Sequence, residues 1–282
     1  MQLALIGTGN MGQAILTGVI RQQVVAPADI RIFDTDRDKT AALAAKTGVQ
    51  APDTVILTIK DADIIILATK PDVCAHVLHP LQGHFTEHQV LVSIAAGLTL
   101  ASLRHMAGSA PVLVRAMPNT PALVGCGVSA LAMEQPNEAA KAIVHEIFAS
   151  FGSVHDVPEK LMDAVTGLSG SGPAFMMLVM EAMADAGVYL GLPRDLALQM
   201  AGKTMEGSAR LLLETGAHPG VLKDQVCSPG GTTIEGVRVL EEHGLRSAII
   251  AGIAAAAEKS VRLRGNAPST AVTGTGLLKE HE

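Results

Sequence analysis

Leu3-Ala4-Leu5-Ile6-Gly7-Thr8-Gly9-Asn10-Met11-Gly12 is the stretch that decides the fold. Four apolar residues make a short strand that stops at Gly7, and the spacing of Met11 to Arg21 predicts a helix directly after it. Between them lies the pattern Gly-x-Gly-x-x-Gly. In a strand–turn–helix unit the first glycine permits the tight turn, the second lets backbone approach a pyrophosphate, and the third lets helix and strand pack closely. The helix N-terminus then offers unpaired N–H groups to phosphate. A plain strand–helix turn without a ligand is the bland alternative. Against it stands a second apolar run, Ile30-Arg31-Ile32-Phe33, ending at Asp34. That acid lies about 20 residues past the motif, where a carboxylate can bond an adenosine ribose. A carboxylate there suits the 2′-OH of NAD and repels the 2′-phosphate of NADP. Arg37 and Lys39 follow within reach of such a phosphate, so the choice of cofactor stays open. Asp34 has a plainer role too, as cap of the next helix.

Outward from this unit the alternation continues. Arg37 to Lys46 reads as a helix closed by Gly48, and Ile64 to Ala68 is a continuous apolar run, as expected of a strand buried on both faces. Val90 to Ile94 and Pro111 to Arg115 repeat the theme, which predicts βαβ units and a mostly parallel sheet. Two more strand candidates, Val128 to Met133 and Ser153 to Val157, flank a helix near Glu138 to Phe151. Thr69-Lys70-Pro71 and Ile94-Ala95-Ala96-Gly97 end two of the strands, at the edge where open α/β sheets bind ligands. Small residues in the second segment would let a nicotinamide lie against backbone. Lys70 reads equally well as a surface lysine. In Arg115-Ala116-Met117-Pro118-Asn119-Thr120-Pro121 two prolines bracket a rigid loop, with Arg115 expected to hold that loop rather than touch a substrate.

After Val157 strand signals vanish and a domain boundary is expected near Pro158. Ala174 to Leu190, Arg194 to Thr215, Thr233 to His243 and Leu245 to Arg264 are helices by length and propensity. They are apolar around much of their circumference, Ile249 to Ala257 above all, and a helix apolar all round must be buried. Association with another subunit is the expected cover, and packing on the first domain alone is the alternative. The stretch from Gly265 is rich in Gly, Ser and Thr and reads as a loose tail.

Two glycine-rich turns open helices in this half: Ser169-Gly170-Ser171-Gly172-Pro173-Ala174 and Ser228-Pro229-Gly230-Gly231-Thr232-Thr233. Ser171 with Pro173 resembles an N-terminal cap and first turn, and Thr232 with Glu235 a capping box. The functional alternative is an anion site, because N–H groups, hydroxyls and the helix dipole all point one way, and a substrate carboxylate would fit.

Composition narrows the classes. The chain has 282 residues and a net charge of −6, with no Lys/Arg run, which argues against nucleic acid. Aromatic residues are only 2%, so the core has to be built from Ala, Leu, Ile, Val and Met. Cys74, Cys126 and Cys227 are far apart and form no CxxC, as expected of free thiols in a reducing cytoplasm. No signal peptide and no membrane span are expected. No metal is expected, and no GxSxG elbow is present. That absence fits hydride transfer to an imine, where the cofactor carries the reacting hydride.

With these residues in place, the sequence resembles the pyrroline-5-carboxylate reductases over nearly its whole length, through about Arg264. The motifs are IGTGNMG at Ile6 to Gly12, TKP at Thr69 to Pro71, SIAAG at Ser93 to Gly97, RAMPNTPA at Arg115 to Ala122, TGLSGSGPAF at Thr166 to Phe175 and HPGVLKDQVCSPGGTTIEGVRVLE at His218 to Glu241. The last two together are highly specific, whereas other Rossmann reductases share only the first.

The resemblance implies an α/β Rossmann domain over residues 1–158 and an all-α dimerisation and substrate domain over 159–264, with residues 265–282 as a flexible tail. It implies reduction of (S)-1-pyrroline-5-carboxylate to L-proline with NADPH or NADH, by a cytoplasmic homodimer assembled further into a decamer. Cofactor contacts would come from Ile6, Gly7, Thr8, Gly9, Asn10, Met11, Gly12, Asp34, Ala68, Thr69, Lys70, Pro71, Ile94, Ala95 and Ala96. Substrate would lie among Glu159, Ser171, Asp224, Gln225, Gly230, Gly231, Thr232 and Thr233, with Thr233 on the ring nitrogen as the catalytic residue. Val55 stands where many relatives carry Asn, Thr69 where they carry Val, and Asp34-Thr35-Asp36 is more acidic than an NADPH enzyme implies. The rival readings are a reductase of another small imine or keto acid, a dinucleotide-binding regulator, and a purely structural oligomer. The CSPGGTT segment argues against the first and the paired ligand-type turns against the last.

Overall fold

The computed structural model describes residues 1–135 and 137–265. They form two compact units, one of Met1–Asp163 with residues 258–265, the other of Ala164–Ala257. The division thus falls a few residues beyond Pro158, and the end of the last helix returns to the first unit. The expected tail from residue 266 lies outside the described residues, and Gly265 closes the last helix.

In the first unit the strands are β1 (Leu3–Ile6), β2 (Ile30–Phe33), β3 (Ile64–Leu67), β4 (Val90–Ser93), β5 (Val112–Met117), β6 (Gly127–Met133) and β7 (Gly152–Asp156). They pair in the order β2-β1-β3-β4-β5-β6-β7. β1 to β5 run parallel, β6 is antiparallel to β5, and β7 is parallel to β6. The reversal at β6 follows from its connection. Pro118 to Cys126 span nine residues built on a 3-10 turn (Thr120–Val124), too few for a crossover helix. The connecting helices are α1 (Asn10–Arg21), α2 (Arg37–Thr47), α3 (Val55–Ile59), α4 (Pro71–Leu78), α5 (Leu100–Ala107) and α6 (Glu138–Ala149).

β1, β3 and β4 are buried at every position, as strands covered on both faces must be. α1 lays Ala14, Ile15, Leu16 and Val19 on the sheet, and its Gly18 passes so near Phe151 that a Cβ there would stand 2.8 Å from the Phe151 Cβ. Phe148 and Phe151 fill the centre of this core with ring centroids 5.3 Å apart. The sequence signals missed α3, α4 and α5. Each has five to eight residues, too few to develop a helical period, and each is started by local chemistry. Thr54 caps α3, Thr99 caps α5, and Pro71 opens α4.

α7 (Met162–Val165) carries the chain into the second unit and a π-helical turn at Thr166–Gly170. α8 (Gly172–Tyr189), α9 (Arg194–Thr215), α10 (Pro219–Val226), α11 (Thr232–Glu242) and α12 (Leu245–Gly265) follow. α8 and α9 meet through Ala184, Gly187, Ala197 and Ala201, where a Cβ on Gly187 would stand 3.0 Å from that of Ala197. Gly167 is pressed on α12 in the same way, 2.7 Å from the Ile253 carbonyl oxygen to an added Cβ. Elsewhere α8 and α9 expose Met176, Met177, Leu178, Met200 and Leu213. Among the described residues no helix is long and apolar enough to cross a membrane.

Candidate active site

Strand β1 is flanked by β2 on one side and β3 on the other, so the chain reverses its winding between β1 and β3. Open α/β sheets hold ligands outside the carboxyl ends of the strands at such a point. Gly7 to Gly12 leave β1 there, and the three glycines differ in what they do. Gly7 has φ +101°, and a Cβ on it would lie 2.5 Å from the Ala68 carbonyl oxygen. A Cβ on Gly12 would lie 2.2 Å from the Gly7 carbonyl oxygen. A Cβ on Gly9 would meet nothing within 4 Å. Gly9 begins α1 with no side chain bonding the first-turn N–H groups. The open side of Gly9, with unclaimed N–H groups at Asn10 and Met11, fits a pyrophosphate.

Asp34 is tied into this turn. Its Oδ2 accepts the Thr8 N–H at 2.7 Å and the Thr8 hydroxyl at 2.9 Å, and its Oδ1 accepts the Asp36 N–H at 3.2 Å. Partial burial alone would raise the Asp34 carboxyl, but these bonds and the charge of Lys39 outweigh it and hold it below the ordinary value. The cap role considered for Asp34 falls instead to Asp36, which accepts the Lys39 N–H at 3.0 Å. Arg37 turns to Pro52 and Asp53 and lies over the Phe33 ring, 5.4 Å from its centroid.

Ala68 donates its N–H to Ile6 O at 2.7 Å, and Ile94 to Leu67 O at 3.1 Å, which brings the ends of β1, β3 and β4 into one rim. Lys70 precedes α4, and the Thr69 hydroxyl meets the Cys74 thiol at 3.3 Å. Ser93 accepts the Ala95 N–H, and Gly97 turns the chain at φ +79°. The residues from Ile6 to Gly12, Asp34, Ala68 to Pro71 and Ile94 to Ala96 are therefore gathered at one sheet edge.

Arg115 behaves differently from expectation. Arg115 does not turn to its own loop: buried on β5, it reaches Glu159 at 3.5 Å and Asp163 at 4.0 Å, while Asn119 ties the loop to β6 by accepting the Val128 N–H. Glu159, expected near substrate, accepts the Leu100 N–H at 2.6 Å in the first unit. Asp163 also holds Arg264 at 2.6 Å and the Ser260 hydroxyl at 2.8 Å. Sequence reasoning found neither Asp163 nor Arg264. A lone arginine in the otherwise apolar run Val112 to Met117 was the available signal, since a buried guanidinium needs acids.

In the second unit Gly230 has φ +66°, and the Gly231 N–H donates to Ser228 O at 3.0 Å. Gly231, not Thr232, starts α11, and no side chain caps it. The expected capping box does not form, because Thr232 is already helical and Glu235 turns to Arg238. The first-turn N–H groups at Thr232 and Thr233 are thus left unclaimed by a cap, beside half-buried Thr233. Ser171 likewise is no cap: it has helical geometry and joins the π-helical turn to α8. Asp224 and Gln225 are exposed on α10, where Asp224 pairs with Lys223 at 2.8 Å. Among the described residues no group of three His, Cys, Asp or Glu is placed to hold a metal ion.

Residues 159–263 match the family described as pyrroline-5-carboxylate reductase dimerisation, and residues 2–97 that of NADP oxidoreductase, coenzyme F420-dependent. The pyrroline-5-carboxylate reductase of Escherichia coli is 43% identical over 93% of this chain and 98% of its own. The chain belongs to the pyrroline-5-carboxylate reductase family. The reductase of Glycine max is 40% identical over 93% of this chain and 95% of its own. Among solved structures, the Coxiella burnetii reductase has TM-score 0.87 and 33% identity, covering 93% of this chain and 98% of its own. The Plasmodium falciparum pyrroline carboxylate reductase, with NADP bound, has TM-score 0.85 and 31% identity, covering 94% and 98%. A ketol-acid reductoisomerase, at 13% identity and TM-score 0.64, shares the fold alone.

Proposed function

We propose that this chain reduces (S)-1-pyrroline-5-carboxylate to L-proline, the last step of proline biosynthesis, as a cytoplasmic homo-oligomer using NADPH, with NADH as the weaker alternative. The observation that carries this is membership of the reductase family over 93% of the chain, joined to a glycine turn whose open side fits a pyrophosphate. When bound, NADPH supplies the hydride.

The chain's own residues have the remaining tasks. Gly7 to Gly12 cradle the pyrophosphate, Asp34 fixes the turn beside the adenosine ribose, and Ala68 to Pro71 with Ile94 to Ala96 bound the rest of the cofactor. Gly230, Gly231 and Thr232 take the substrate carboxylate on the α11 N-terminus, where helix dipole and N–H groups favour an anion. Ser171, Asp224 and Gln225 line the same region; Glu159 is engaged with Leu100 and Arg115 instead. Thr233 holds the ring N–H. Hydride arrives at C5 of the C=N bond, the π pair moves to nitrogen, and the iminium charge is neutralised. Exposed Met177 and Leu178 on α8 belong to the subunit interface of a dimer, with a decamer as the full assembly.

The test is the loss of NADPH absorbance with pyrroline-5-carboxylate, beside a Thr233→Ala variant. The variant is expected to lose at least about ten-fold in kcat, the scale of one hydrogen bond to a charged group, with NADPH affinity kept. Equal losses in turnover and NADPH binding would remove Thr233 from the role. A folded, oligomeric wild type that oxidises neither NADPH nor NADH with this imine would overturn the function.

A further inference from the structure

Four charged side chains stand behind the turn that joins β4 to α5. Glu159 Oε1 accepts the N–H of Leu100, the first residue of α5, at 2.6 Å. The same oxygen lies 3.5 Å from Nη1 of Arg115, a nitrogen buried without a hydrogen bond of good geometry. Arg115 approaches Asp163 at 4.0 Å, and Asp163 is gripped by Arg264 and Ser260 from the last turns of α12. The turn meets those same last turns directly: a Cβ on Gly97 would stand 3.4 Å from the Leu263 Cβ. Residues 94–99 are therefore held at their far end by Glu159 and in their middle by α12. Both holds run through one set of two acids and two arginines, which balance in charge.

An ion set with Arg115 and Asp163 buried and Glu159 and Arg264 half-buried is weak evidence for stability, because desolvation offsets the attraction. It does fix geometry, since the groups meet only when β5, α5 and α12 are in register. The main holds on cofactor assigned above, the glycine turn and Asp34, are elsewhere on the sheet edge. What the ion set does fix is the height of Ile94 to Gly97.

We propose, resting on the reductase reading above, that Glu159, Arg115, Asp163 and Arg264 form a clamp that sets the Ile94–Gly97 turn against the nicotinamide half of the cofactor. Glu159 and Arg115 are then positioning residues for hydride transfer, not substrate ligands. A displacement of about 1 Å at a reacting group can cost on the order of a hundred-fold in rate. The chemical step is thus where the clamp acts.

The experiment compares wild type with Glu159→Ala, Glu159→Gln and Arg264→Ala. For each, kcat, KM for pyrroline-5-carboxylate, NADPH affinity by fluorescence and the isotope effect with NADPH deuterated at the transferred hydrogen are measured. In Glu159→Ala, kcat is expected to fall about ten-fold or more and the isotope effect to rise, with substrate KM and NADPH affinity kept. Glu159→Gln should recover much of the rate, since its amide oxygen still accepts the Leu100 N–H. Arg264→Ala, altered at the more exposed end of the set, should move the same quantities in the same direction and serves if Glu159→Ala fails to fold. A raised KM for substrate with kcat and isotope effect unchanged would make Glu159 a substrate ligand and overturn the clamp. Variants indistinguishable from an active wild type would also overturn it, leaving the reductase function standing. A wild type inert towards the imine would remove the function and the clamp together.

Discussion

Replacing Gly9 and Gly12 separately by alanine divides one motif into its two physical tasks. At Gly12 the new Cβ would lie 2.2 Å from the Gly7 carbonyl oxygen, a backbone atom that cannot swing aside. Overpacking of that kind costs about 1–3 kcal/mol, and each kcal/mol lowers Tm by roughly 2–4 °C in a chain of this size. At Gly9 the Cβ meets nothing within 4 Å, and its φ of −67° is ordinary for alanine. Alanine there restricts the unfolded chain, a gain of about 0.4–1 kcal/mol. It gives up the preference of glycine over alanine at a helix start, a loss of about the same size. The two offset, so the Tm of the Gly9→Ala protein should match wild type. Its cofactor should not bind as before, because the methyl group occupies the open side of the turn. Losing one N–H bond to a charged phosphate costs about 1.5–3 kcal/mol, or roughly ten- to a hundred-fold in Kd. The assay is a thermal melt without ligand beside an NADPH fluorescence titration. A Gly9→Ala protein that binds NADPH like wild type, or melts as early as Gly12→Ala, would refute the assignment of the open side to the pyrophosphate.

Three further outcomes are expected. Asp34→Asn should keep an oxygen for Thr8 while removing charge beside the ribose, so the NADPH-to-NADH ratio of kcat/KM rises; an unchanged ratio would show that the carboxylate does not face the 2′ position. Because the folded Asp34 pKa lies below its unfolded one, its stabilisation is full above about pH 4, where an unfolded aspartate is ionised, and is lost as pH falls through the folded value. Melts of wild type and Asp34→Asn should accordingly converge on the acid side, and a gap that persists there would count against the Thr8–Asp34 bonds as its source. Met177→Glu, on the exposed face of α8, should shift light-scattering mass from oligomer towards monomer; retention of the full mass would place the interface elsewhere.

Much of this protein was legible in its sequence because the signals are local. Leu3–Ile6 and Ile30–Phe33 are strands at the expected residues, and Arg194–Thr215 is a helix at its expected bounds, because periodicity and breakers act within a few residues. The glycine turn was legible for the same reason: its requirements are set by backbone sterics and the helix that follows. The caps stayed ambiguous where two chemistries share one pattern. Thr232 with Glu235 has the spacing of a capping box, yet Gly231 starts the helix and Glu235 finds Arg238. Only the tertiary structure assigned the carboxylates. Asp34 faces Thr8 across 26 residues of sequence, Glu159 faces Leu100 across 59, and Asp163 faces Ser260 across 97. Nothing local in the chain selects those partners. A buried charge takes whichever counter-group the packed sheet and helices bring within reach, and that is decided only when strands far apart in sequence have been laid side by side.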